Sequence, residues 1–189
     1  MIQPPPPAGQ GPGDGMNLLT ALSPLALVIG NLVPLVGVVA WDWDVASLVI
    51  LYWSENLIIG GITILKMLHR SLFGGLFAGM FFIVHYGGFC AVHGFLAAGL
   101  LGMEIGDVMD DFELPFMFIF VELLVRVVRG VMSVSPPEWI WGFVTLAASH
   151  LVSFVTNYLW RGEYRTQTVS SLMSAPYRRI MVLHLAILV

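Results

Sequence analysis

The hydrophobic positions of this chain gather into six long runs: Leu18–Ala40, Ala46–Met67, Leu72–Leu101, Pro115–Val131, Trp139–Trp160 and a last one that starts near Tyr177. About 20 apolar residues cross the roughly 30 Å hydrocarbon core of a bilayer as a helix. The pattern therefore predicts an all-α fold, a polytopic transmembrane helical bundle of about five spanning helices plus one interfacial or re-entrant helix. The last run stops at Val189, fourteen residues from Pro176, which is too short to span. The chain reads as truncated at its C-terminus, with one more helix expected beyond. Residues 1–15, MIQPPPPAGQGPGDG, read as a disordered Pro/Gly-rich leader without the basic start of a signal peptide, and Met16 is an alternative start. Residues 16–189 then form a single transmembrane domain.

Composition agrees. Of 189 residues, 58% are hydrophobic and 11% charged, against about 25% charged in a soluble domain. Mean hydropathy is +0.87. The net charge of −4 argues against a nucleic-acid partner and leaves membrane lipid as the partner expected. The single cysteine, Cys90, excludes an intrachain disulfide and a Cys-rich metal centre, and reads as a small apolar filler.

Charge sets the expected orientation. Lys66, His69 and Arg70 form a basic exit from the second run, and Glu104–Glu113 form an acidic loop after the third. If Pro115–Val131 spanned, Arg161, Arg165, Arg178 and Arg179 would lie on the side opposite Lys66 and Arg70, against the positive-inside rule. If it lies in the interface, all six basic residues share the cytoplasmic side. Glu122 and Arg126 at i, i+4 suit a helix with one wet face. The N-terminus is then cytoplasmic, and WDWD at Trp41–Asp44 is an interfacial turn.

Within the apolar runs a few polar residues fall at one level. At about 1.5 Å per residue from the cytoplasmic ends, Glu55 lies about 18 Å deep, His85 and His150 about 15 Å, and His184 about 12 Å. Ionisable groups at such depth are functional candidates by default. One carboxylate and three imidazoles make a donor set suited to zinc, iron or manganese. In this reading His85, His150 and His184 hold the metal, and Glu55 is a fourth ligand or a general base acting on the bound water. Tyr86, His93, Ser153 and Asn157 stand behind the ligands as supporting polar groups. His93 itself, eight residues beyond His85, is about 12 Å further along the helix and about 80° round it, so the two histidines do not share one metal. Haem held by His85 and His150 is a lesser alternative, because a buried carboxylate has no task beside it. His150, Ser153 and Asn157 form one polar stripe, and Tyr52, Glu55, Asn56 and Thr63 another; such stripes face the bundle interior. Three functions fit these residues: a metal-dependent hydrolase acting on lipid, a non-catalytic membrane subunit or scaffold whose polar residues serve packing, and a proton or ion pathway.

The stretches LYWSENLIIG (Leu51–Gly60), FFIVHYGGFCAVHGF (Phe81–Phe95), SHLVSFVTNYLWRGEY (Ser149–Tyr164) and PYRRIMVLH (Pro176–His184) give the chain a resemblance. It resembles an uncharacterised bacterial family of multi-pass membrane proteins, a domain of unknown function, from about Leu18 onward. The resemblance implies a helical membrane fold and a bacterial inner-membrane location, and it implies no activity. Seven-helix ceramidase-like hydrolases are similar in placing a zinc site of histidines and a carboxylate within the membrane, but their HxxxH spacing is absent here.

Overall fold

A computed structural model of the chain describes residues 36–37, 39–40, 45–104, 108, 112–137 and 139–181. The leader, nearly all of the first apolar run, and His184 lie outside these residues. Among the described residues the regular structure is entirely helical. Helix α1 is Val45–Arg70, α2 Leu72–Leu100, α3 Ile119–Val134, and α4 Trp139–Ser153, which passes into a π-helical stretch, Phe154–Trp160. A short helix α5, Val169–Ser174, follows, and residues 177–181 are helical again.

The described helices long and apolar enough to cross a membrane are Ala46–Arg70, Leu72–Leu100 and Trp139–Trp160. They correspond to the second, third and fifth runs. Helix α3, with 16 residues, is about 24 Å long and is not among them. Its buried residues, Leu123, Val127, Gly130 and Val131, follow the i, i+4, i+7, i+8 spacing of one helical face. Phe73, Phe77, Met80 and Phe81 on α2 are exposed, as lipid-facing side chains are.

α1 and α2 form a tight hairpin. Ser71 alone separates them, in an extended conformation, and its hydroxyl accepts the Gly74 N–H at 3.2 Å, capping α2. Gly75 permits the reversal, since a Cβ there would lie 2.3 Å from the Met67 carbonyl oxygen. Further along, Tyr86 meets Gly60, and Trp53 meets Gly94, where a Cβ would lie 2.5 Å from the indole. The pairings run in opposite directions along the two helices, so they are antiparallel. A small residue on each helix thus admits a large one from the other, the packing mode of helices in lipid. α3 packs on the same helix at Gly87 and Gly88 through Leu124 and Phe120, and α4 packs against α1.

The buried apolar residues fall into two clusters. One joins Trp53, Ala91, Val127 and Trp139; the other joins Met67, Phe82, Tyr86, Tyr158, Leu172 and Ile180. Beside the second cluster His69 stands edge-on to Tyr158 and Tyr164, and Arg70 donates to the Gln167 carbonyl at 2.8 Å. His69, expected in an open basic loop, is exposed but seated against two aromatic rings.

The turn before α3 is held by Glu122. Its carboxylate accepts the N–H of Leu114 at 2.8 Å and of Glu113 at 3.0 Å, and the Arg126 guanidinium at 2.6 Å. The Leu114 N–H, with those of Glu113 and the Arg126 charge behind it, holds the Glu122 carboxyl below the usual carboxylate range.

Candidate functional site

The site begins with the polar block of α1. Trp53, Ser54, Glu55 and Asn56 are all buried. Trp53 donates its Nε1–H to the Cys90 carbonyl at 2.8 Å, and the Tyr86 hydroxyl donates to the Asn56 carbonyl at 3.2 Å. Both bonds tie one face of α1 to α2. Glu55 is two residues past Trp53, about 200° round the helix, so pinning Trp53 on α2 turns Glu55 to the opposite side, toward α4.

There His150 of α4 meets it. His150 Nε2 stands 2.8 Å from Glu55 Oε1. The second carboxylate oxygen, Oε2, accepts the Arg179 guanidinium. Burial grades across the cluster: the Glu55 side chain is 2% exposed, that of His150 16%, and that of Arg179 45%. The guanidinium supplies the positive charge that an ionised carboxylate needs at this depth, and it leads from the buried carboxylate to the open side of the bundle.

A polar line continues along α4. Arg161 donates to Asn157 Oδ1 at 3.3 Å, and the Asn157 amide donates to Ser153 Oγ at 3.1 Å. Ser153 lies one turn from His150. The π-helical stretch carries Asn157, and the Arg161 N–H closes it on the Thr156 carbonyl at 3.1 Å. The wider turn changes the helix register, a feature frequent at functional sites.

The expected convergence of Glu55, His85, His150 and His184 is met by Glu55 and His150. His85 does not join them. It is exposed on α2, with Nδ1 2.8 Å from the Tyr177 hydroxyl and its ring stacked on Phe81. His93 is buried, and its Nδ1 lies 2.7 Å from the Phe89 carbonyl of its own helix. Tyr86 serves the α1–α2 contact and does not stand behind a ligand. His184 lies outside the described residues. Among those described, no three or more His, Cys, Asp or Glu side chains are arranged to hold a metal ion.

Sequence reasoning missed Arg179 and Tyr177. Arg179, read as one of six basic residues on the wet side, reaches back to the middle of α1. Nothing in Pro176–His184 singled Arg179 out, because an arginine at the head of an apolar run ordinarily snorkels to the interface. Depth counting from helix ends found the Glu55–His150 pair, but it carries no information about which way a side chain points.

A family model described as a family of unknown function (DUF6498) matches residues 18–189. The chain belongs to this family. The DUF6498 match covers α1 to α5, and so includes Glu55, His150 and Arg179. No curated protein and no solved structure matches the chain.

Proposed function

We propose that this DUF6498 member is an integral membrane protein in which Glu55, His150 and Arg179 form a proton-exchange station on a proton pathway. The observation that carries the reading is the 2.8 Å contact between His150 Nε2 and Glu55 Oε1, at the middle of two helices able to span. Two titratable groups at hydrogen-bond distance can pass a proton between them, and Arg179 balances the carboxylate while that proton moves. The line Ser153, Asn157, Arg161 supplies polar stepping points from His150 toward the Arg161 end of α4, the end that the positive-inside rule puts on the cytoplasmic side. By the same rule the N-terminus is cytoplasmic.

A zinc or iron ion, and with it a lipid hydrolase, fits the arrangement less well. The ion would take the place of Arg179 at Glu55 Oε2 and would draw His85 away from Tyr177. Proteoliposomes carrying an imposed pH gradient and an internal pH dye test the proton reading. Wild-type protein is expected to dissipate the gradient, and Glu55→Gln or His150→Phe to slow it at least tenfold while the protein stays folded. Wild-type leakage equal to that of protein-free liposomes overturns the reading and leaves the cluster as a lock on the C-terminal segment. Metal analysis of the same preparation reads the rival: stoichiometric zinc or iron, lost in His150→Phe, makes the site a metal centre.

A further inference from the structure

A second site lies at the reversal between α1 and α2 and does not rest on the Glu55 cluster. Helix α1 has 26 residues, a rise of about 39 Å. That exceeds the roughly 30 Å hydrocarbon core, so its last turn, Lys66–Arg70, stands in the head-group layer. Basic side chains gather there around two tyrosine rings. Lys66 Nζ lies 5.1 Å from the centre of the Tyr158 ring, and Arg165 Cζ lies 5.6 Å from that of Tyr164. His69 stands edge-on to both rings, at 5.5 and 5.1 Å. Arg70 donates its Nε–H to the Gln167 carbonyl at 2.8 Å, which orients the guanidinium and leaves both terminal nitrogens for another acceptor. His69, Arg70 and Arg165 are exposed.

Ring faces and a carbonyl hold these cations, and carboxylates do not. Among the described residues the ion pairs within 4.0 Å are those of Glu55 and Glu122, and Lys66, Arg70 and Arg165 take part in none of them. Lys66–Arg70 and Arg161–Thr168 together carry four Lys or Arg and one acidic residue, Glu163, which offsets part of the Lys66 charge. A positive cluster that is held in place and left uncompensated attracts an anion rich in acceptor oxygens, and phosphate is the anion of the head-group layer.

We propose that this cluster binds the phosphodiester of an anionic phospholipid, whose acyl chains lie along α2. The neighbouring surface selects a lipid over a free phosphate. Three positions past Arg70, Phe73 is 85% exposed, and Phe77 is 81% exposed. Phe73, Phe77 and Met80 follow the i, i+4, i+7 spacing of one helical face, an exposed apolar stripe that starts beside the cations and runs into the hydrocarbon. A head group on Arg70 sets its chains against that stripe. Charge selects among lipids: the cluster favours a net negative head group over phosphatidylcholine, whose choline it repels. The positive-inside rule puts this end at the cytoplasmic leaflet, where basic segments meet anionic lipid.

The test is native mass spectrometry of the full chain in detergent, titrated with phosphatidylglycerol or with phosphatidylcholine of the same chains. One phosphatidylglycerol per chain is expected, bound at least tenfold more tightly than phosphatidylcholine. Arg70→Gln and Arg165→Gln should each weaken it at least threefold, and together bring it to the phosphatidylcholine level. These are surface changes on separate elements, so one misfolded variant cannot decide the result. Arg129→Gln, which removes the same charge from α3, should leave binding unchanged. Glycerophosphoglycerol, the head group without chains, should bind at least tenfold more weakly than the lipid. Equal affinity for the two lipids overturns the proposal, as does wild-type affinity in the double variant. An equal loss in Arg129→Gln and Arg70→Gln also overturns it, since the preference is then one of net charge and not of this cluster. Glycerophosphoglycerol binding as tightly as the lipid overturns the lipid and leaves a site for soluble phosphates.

Discussion

His85 and His150 are the same residue at nearly the same depth, and the fold treats them in opposite ways. His150 turns inward to a buried carboxylate that also holds an arginine. His85 turns outward, shares one hydrogen bond with Tyr177 of the C-terminal segment, and borders an apolar groove. Depth is a property of position along a helix, and partnership is a property of the helical face. The first site concentrates charge where water is scarce, which suits proton exchange. The second seats a histidine on an exposed, apolar helix face.

The largest effect is expected at the charged site. Glu55→Ala leaves Arg179 and His150 without their carboxylate. Breaking a buried ion pair costs about 3–5 kcal/mol, and the half-open guanidinium can regain water, so a loss of about 3 kcal/mol is expected. Steric-trap unfolding in detergent or bicelles measures it. A loss no greater than that of His85→Phe would erase the distinction between the two histidines.

Next comes the device that aims Glu55. Gly94→Val pushes a branched side chain into the Trp53 indole, which has no soft end to yield. Overpacking of this kind costs about 1–3 kcal/mol. Because Trp53 fixes the rotation of α1, the same variant should also impair proton flux in liposomes. Gly61→Ala, with open space around it, should leave both readouts unchanged. Flux retained in Gly94→Val would show that Glu55 is aimed by something other than the Trp53 notch.

His85→Phe ranks third. It removes one hydrogen bond to Tyr177 and replaces one exposed ring by another, for a loss of about 1 kcal/mol in the same unfolding assay. A loss above that of Glu55→Ala would mean that His85 carries a load not visible in its contacts.

The smallest effect is expected at Glu122, a carboxylate with an arginine like Glu55 but at a wet helix end. Its carboxyl is held below the ordinary range, so the folded form binds a proton less readily than the unfolded chain. Its contribution is fully present above the unfolded value, about pH 4.3, and is lost as pH falls through the lower folded value. Glu122→Gln should flatten that acid limb, read by amide exchange at Glu113 and Leu114, and change little at neutral pH. An unchanged acid limb would place the dependence elsewhere.

Much of this molecule was legible in the linear pattern. Run length and the near absence of charge gave the all-helical membrane fold, because the bilayer demands about 20 apolar residues from every span. The positive-inside rule and the Glu122–Arg126 spacing set Pro115–Val131 apart as an expected interfacial or re-entrant segment. Counting residues also brought Glu55 and His150 to one level, and they do touch. What the sequence could not say is which face each side chain occupies. That was decided by Trp53 fitting into the Gly94 notch, which turns Glu55 to α4, and by the C-terminal segment, which lays Arg179 on Glu55 and Tyr177 on His85. Rotation about a helix axis depends on which large side chains meet which small ones across a contact, and those partners lie 37 to 124 positions apart in the chain. Only the packed bundle brings them together.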